Sequence, residues 1–269
     1  SVSWLNVLTL KTSYGASGND NLNTYYAYEA LYNIQNNLGN GGVITSRLPT
    51  LDLKWESNLN FNAGVDFGIF NNRVSGTLNY YIRTSKDLLY SKPLAASTGF
   101  GSVDANIGTL RNKGFELTLN AVPVNTGRFR WDIELNIAHN KNEITALPQK
   151  EIISGTKKLM VGKSIYDFYI RKWAGVDPAN GNPLWYITDS SGKTSTTSVY
   201  AKGTQYYVGS SLPTVVGGIT NSFRYQGIEL NFLFTYSLGG KVLDQDYVFL
   251  LTGGASPGRN FSKELLDSW

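Results

Sequence analysis

The stretch from Glu56 to Lys86 constrains this chain most, because it keeps a period of two through two consecutive segments. Leu59, Phe61, Ala63, Val65, Phe67 and Ile69 share one parity, and Asn58, Asn60, Asn62, Gly64, Asp66 and Gly68 share the other. Successive side chains of a strand point to opposite sides, so this is a strand with one apolar and one polar face. Phe70-Asn71-Asn72-Arg73 then predicts a tight turn, since Asn tolerates positive φ. The return segment sets Val74, Gly76, Leu78, Tyr80 and Ile82 against Ser75, Thr77, Asn79, Tyr81 and Arg83. Both segments exceed the roughly 5–6 residues of a common soluble strand. Both reach the roughly 9–11 residues that cross a bilayer as a tilted strand. The polar faces are rich in Asn, Ser, Thr and Gly, which suits a wet, enclosed lumen.

The same pattern recurs along the chain. Trp4 to Tyr14 alternates and predicts a strand ending at Gly15. From Leu110 to Val122, Phe115, Leu117, Leu119 and Ala121 oppose Glu116, Thr118 and Asn120. Pro123 to Gly127 predicts a turn, and Phe129, Trp131, Ile133, Leu135 and Ile137 then oppose Arg130, Asp132, Glu134 and Asn136. Val215 to Tyr225 leads through Gln226-Gly227 to Ile228, Leu230, Phe232, Phe234 and Tyr236. Residues 16–50 and 87–108 read as long loops, the first with a short strand around Tyr25 to Tyr32. Between Asn140 and Pro213 the pattern is broken, with Tyr166 to Trp173 a further strand candidate. Short turns at one end and long loops at the other is the build of an outer-membrane barrel, with the turns on the periplasmic rim.

Composition agrees. Charged residues are 16% and aromatics 13% of the 269 residues, where a soluble domain carries roughly 25% charge. No apolar run reaches the roughly 18 residues of a membrane-crossing helix. A soluble β-sandwich, such as a carbohydrate-binding module, shares part of this signature and stands as the alternative, beside a passive porin. The formal charge of +4 is spread without a like-charge block, so no basic stripe for nucleic acid is present. Seven strands are clear on this reading, about a third of what a wide channel needs.

Covalent and metal chemistry find little support. There is no Cys and one His, so a zinc site lacks its usual ligands. His139, read as lying at a strand end near an aqueous rim, suits a structural role. No nucleophile motif is present, and Glu116, Asp132 and Glu134 fall on a polar face, where they tune a lumen. Gly239-Gly240-Lys241 lacks the upstream Gly and the following Ser or Thr of a phosphate loop. Asp177 to Asn182 has the wrong carboxylate spacing for calcium and reads as a turn. No catalytic residue, metal ligand or cofactor is predicted. The aromatics outside the clean strands, Tyr90, Phe100, Trp173, Trp185 and Tyr186, are the candidates for contact with a ligand or a lid protein, because flat rings stack on sugars and pack on peptides. The alternative is that they pack as girdle or loop-core residues. Trp131 and Phe129, beside a turn, suit the periplasmic interface.

An ordered set of short motifs then carries a family resemblance. Asp52-Leu53-Lys54-Trp55-Glu56, Ala63 to Arg73, Asn106-Ile107-Gly108, Asn112 to Leu117, His139-Asn140-Lys141-Asn142, Trp173 to Pro178 and Gly217 to Phe223 together resemble the barrel of SusC/RagA-type TonB-dependent transporters. The resemblance implies an all-β fold: part of a transmembrane antiparallel barrel of about twenty-two strands, with long extracellular loops. It implies a bacterial outer-membrane location, active import of an oligosaccharide or peptide, energy from a TonB complex, and a SusD-like surface lipoprotein as lid. No plug, TonB box or signal peptide is read in residues 1–269, and the family's final strands are not read either. The expectation is an internal piece of a longer precursor, surrounded by outer-membrane lipid.

Overall fold

The structure, a computed structural model, describes residues 3–21, 26–253 and 258–267. It forms two compact units. The first holds residues 1–152, 159–165 and 214–238; the second holds residues 153–158, 166–213 and 239–269.

The alternating segments of the first unit pair into one seven-stranded antiparallel sheet. Its strands are β1 (Leu5–Asn19), β2 (Glu56–Ile69), β3 (Val74–Lys86), β4 (Thr109–Asn125), β5 (Phe129–Ala146), β6 (Val215–Tyr225) and β7 (Ile228–Leu238). Each pairs with the next in chain order, an up-and-down meander whose edges, β1 and β7, stay open. These are the seven strands that the alternation marks.

Register carries the two-faced pattern across all seven. One row runs Leu8, Phe67, Gly76, Leu119, Leu135, Ile219, Phe234. The row beside it runs Thr9, Asp66, Thr77, Thr118, Asn136, Gly218, Thr235. A slip of one residue in any strand would set an apolar row against a polar one, so burial of either face fixes the register. Among the described residues of this unit the apolar face stays open: Leu10 is 77% exposed, Leu78 45% and Phe234 64%. A sandwich buries such residues between its sheets, so the sandwich alternative fails. What is buried lies instead at the loop end, where Ile107, Ile144 and Asn142 are each nearly inaccessible.

Three glycines in the sheet are each covered by a directly opposite ring. Phe67 faces Gly76, Tyr81 faces Gly114 and Tyr236 faces Gly217. A Cβ on Gly76 would stand 2.9 Å from Phe67 Cζ. The ring fills the space that the missing side chain leaves, which steadies a glycine otherwise costly in a strand.

Several boundaries differ from the sequence reading. β1 continues past Gly15 to Asn19, because Glu56 to Asn60 of β2 offer it a ladder partner. β4 runs through Pro123 to Asn125, with a register shift between Ala121 and Val124. The missing amide of Pro123 is absorbed by that bulge, and the turn moves to the residues before Phe129. β5 extends to Ala146, seven residues into the region read as broken. The strand expected at Tyr25 to Tyr32 lies elsewhere: a hairpin joins Leu31–Asn37 to Asn40–Arg47, and residues 22–25 are outside the described residues. Residues 87–108 hold a small hairpin of Leu89–Pro93 with Ser102–Asn106. The turns at Phe70 to Asn72 and Gln226-Gly227 have the positive φ that the sequence predicts for Asn and Gly, and Phe70 and Gln226 share it.

In the second unit, Asp167–Arg171 pairs with Gln205–Ser210, and Trp173–Val176, Pro183–Thr188 and Thr194–Thr197 form a three-stranded sheet. The one α-helix described, Gln245–Leu250, is capped by Asp244, whose carboxylate accepts the Tyr247 N–H at 2.8 Å.

Candidate functional site

The polar face of the seven-stranded sheet is the candidate conduit wall. Strand alternation places Asp66, Thr77 and Glu116 there, and cross-strand pairing brings Lys11 and Thr77 to Asp66. Lys11 of β1 forms an ion pair with Asp66, and the Thr77 hydroxyl donates to the same carboxylate at 2.9 Å. Asn62 donates to Ser13 at 3.2 Å. Towards the turns, Arg130 grips Asp132 through two nitrogens, Nε at 2.8 Å and Nη2 at 2.7 Å, the fork geometry that holds a carboxylate firmly. Arg224 and Asn231 both donate to Glu229 at 3.3 Å. Ser75, Asn120, Arg130, Asp132, Glu134 and Thr220 line a hollow of about 280 Å³. Glu116 and Glu134 have no cation partner among the described residues. The face is therefore hydrophilic but mostly charge-neutralised, able to stay wet and to exchange hydrogen bonds with a polar solute.

The motif residues converge on the loop end of β4 and β5. Asn112 and Asn142 are opposite and hydrogen-bonded at 2.8 Å. Asn142 is buried and its carbonyl also accepts from the Ser164 hydroxyl at 2.9 Å and the Ile165 N–H at 3.1 Å. It thus ties residues 162–165 to the polar face of β5. Asn106 acts similarly. Its amide donates to the Lys54 and Asp87 carbonyls at 2.8 and 2.7 Å and accepts the Lys54 N–H at 2.8 Å. Ile107 beside it is buried, and Gly108 has a φ of 118° where a Cβ would collide with the Ala146 carbonyl. Sequence reading found these motifs without their task, which is to pin loops onto strand ends.

His139 is not at a strand end. It lies within β5, opposite Phe115, whose ring centroid is 5.4 Å away, and its Nδ1 donates to the Thr214 carbonyl at 2.5 Å. The extension of β5 to Ala146 moves it inside the sheet, on the apolar face. Asp177 forms the expected turn, accepting from the Ala179 N–H at 2.9 Å and the Asn180 amide at 3.0 Å. Asp189 makes a second such turn. Its carboxylate accepts from the Ser191 hydroxyl at 2.6 Å, and this bond with the Lys193 amide holds it below the usual carboxylate range.

Of the loop aromatics, Trp173 and Trp185 are brought together, edge to face at 5.8 Å. Tyr200 joins them, 5.2 Å from Trp185, and the Arg171 guanidinium lies over Tyr200 at 4.4 Å. Tyr200 and Arg171 were not legible as partners, because they lie 15 and 14 residues from Trp185 along the chain. Tyr186 follows Trp185 on the same short strand, so it points to the other face. Tyr90 lies on the 89–93 strand, opposite Ala105, and Phe100 follows the turn at Gly99; both belong to the other unit. Four of the five thus sit on short strands of the loops, not in irregular chain.

The comparisons agree with this geometry. Residues 1–241 match the family described as TonB dependent receptor-like, beta-barrel. The TonB-dependent receptor SusC of Bacteroides thetaiotaomicron is 31% identical, over 90% of this chain and 26% of its own length. The TonB-dependent receptor P3 of Formosa agariphila is 27% identical, over 96% of this chain and 28% of its length. The RagAB peptide transporter structure superposes with a TM-score of 0.86 at 30% identity, covering all of this chain and 31% of that one. The chain therefore spans between a quarter and a third of the length of these relatives. The uncovered apolar rows, the hydrogen-bonded polar rows and the extent of the match place this chain in the TonB-dependent receptor β-barrel family.

Proposed function

We propose that this chain forms part of the barrel wall of an outer-membrane importer that takes up an oligosaccharide or a peptide. Its apolar rows face lipid and its polar rows line the path. The observation that carries the reading is the unbroken register of apolar and polar rows across seven strands, with the apolar side open. The likeness to SusC and to the RagAB peptide transporter supports the same reading. The full-length protein then holds a plug, further strands and a site for a TonB complex, and a SusD-like lipoprotein closes it from outside. Transport needs no covalent step. The cluster of Trp173, Trp185, Tyr200 and Arg171, with Tyr90, Phe100 and Tyr186, supplies rings for cargo or lid contact.

The test is uptake of labelled peptide or oligosaccharide mixtures by cells that carry the full-length gene. Uptake is expected to depend on the gene and on an active TonB complex. Passage that continues without TonB would make the protein a passive pore, against this proposal. Trp173→Ala/Trp185→Ala is expected to lower cargo binding about thirtyfold, since each of the two lost stacking contacts is worth about 1 kcal/mol. Unchanged binding would leave those rings to loop packing.

A further inference from the structure

The apolar face of the sheet ends differently at its two rims. At the turn end it carries a continuous aromatic belt: Phe129 and Trp131 each stack on Phe223, at 6.2 and 5.5 Å, and Phe223 stacks on Phe232 at 5.9 Å. At the loop end the same face carries cations. Lys113 of β4 is directly opposite Lys141 of β5, and the next outward pair is Arg111 with Glu143. Lys86 of β3 stands one same-face pair further outward, opposite Thr109. Register places all five on the side of Leu78, Leu117 and Ile137, not on the polar side.

The balance of charge is uneven. Arg111 holds Glu143 through Nη2 at 3.3 Å, while its buried Nε has no acceptor. Lys113 and Lys141 have no carboxylate partner among the described residues. Like charges directly opposite across a ladder destabilise it, so this pair asks for an anion between its ammonium groups.

The height of the cations matters too. Lys141 and Trp131 are ten residues apart on β5, roughly 34 Å at about 3.4 Å per residue. With the strand tilt of about 40° common to such barrels, the rise along the membrane normal is roughly 26 Å, close to the roughly 25 Å apolar band of these proteins. Trp131 at one interface therefore places Lys113 and Lys141 at the other, at headgroup level.

We propose that Lys113 and Lys141, with Arg111 in the next same-face row outward, form a binding site for the phosphate of an outer-leaflet lipid headgroup. The inference rests on the reading of this face as lipid-facing wall. Its occupant is a lipid because the apolar rows below continue directly from the cations, leaving room for acyl chains beneath a bound phosphate.

The test compares the full-length protein in neutral detergent with its Lys113→Gln/Lys141→Gln variant, using diphosphorylated lipid A as probe. The variant is expected to bind about thirtyfold more weakly, from two surface cations, and Lys113→Arg/Lys141→Arg to retain binding. Equal affinity in wild type and the Gln variant would overturn the proposal. So would dephosphorylated lipid A binding as tightly, or free orthophosphate displacing the probe at equal concentration. A fluorophore on Leu117→Cys, read in brominated lipid, separates the two levels. Quenching with equal lipid A affinity sinks the site alone; no quenching sinks the wall reading and the site with it.

Discussion

Trp131 stacks on Phe223 with ring centroids 5.5 Å apart and planes 16° from parallel, and its indole N–H donates to the Asn221 amide at 3.2 Å. The two rings are directly opposite on β5 and β6. The hydrogen bond matters because Asn221 sits in an apolar row, between Ile133 and Phe232. Trp131→Phe is expected to keep the stack and lose the hydrogen bond, at about 1 kcal/mol. Trp131→Ala loses both, at about 2 kcal/mol. Urea unfolding of the full-length protein from liposomes measures the difference; equal loss for the two variants would contradict the role of Asn221.

Tyr236 fills the space of Gly217, and its hydroxyl donates to the Asn136 carbonyl at 3.1 Å. A Cβ at position 217 would overlap both that carbonyl and the Tyr236 hydroxyl. Gly217→Ala is therefore expected to cost about 1–3 kcal/mol, as overpacking does. Gly227→Ala, in a turn with open space around it but a φ of 90°, is expected to cost less. Heat-modified gel mobility of the folded barrel ranks the two.

Asn106 joins Lys54, Asp87 and its own strand through three hydrogen bonds of 2.7–2.8 Å. Asn106→Asp keeps the shape but removes both donors and leaves two carbonyls unpaired, a loss of about 1–3 kcal/mol. Proteolysis should then cut the chain near Lys54 faster; an unchanged cutting rate would contradict the pinning role of Asn106.

Asp189 holds the turn 189–193 through its charged form, chiefly by the Ser191 hydroxyl and then the Lys193 N–H. Its folded value is depressed, so the stabilisation is present above the unfolded value of about 3.9 and is lost as pH falls through the lower folded value. Amide exchange at Lys193, corrected for its intrinsic pH dependence, should lose protection at the acid end. Asp189→Asn should flatten that change.

Legibility in the sequence followed the reach of each interaction. The Glu56–Lys86 alternation specified strands, faces and turns because a period of two is local, and Gln226-Gly227 likewise carries its own turn chemistry. The ends of β1, β4 and β5 were not readable, since a strand stops where its partner stops, and Asn19 needs Glu56, 37 residues away, to continue. The aromatic cluster shows the same limit: Trp173 and Trp185 were visible as types, but Tyr200 and Arg171 join them only through folding.

By itself, then, the sequence determined a two-faced ribbon of long strands, through side-chain alternation that needs no neighbour. Only the tertiary structure decided which residues stand opposite one another. It set Lys113 against Lys141, Phe67 over Gly76 and Asn112 beside Asn142, because hydrogen-bond register couples strands that are distant in the chain.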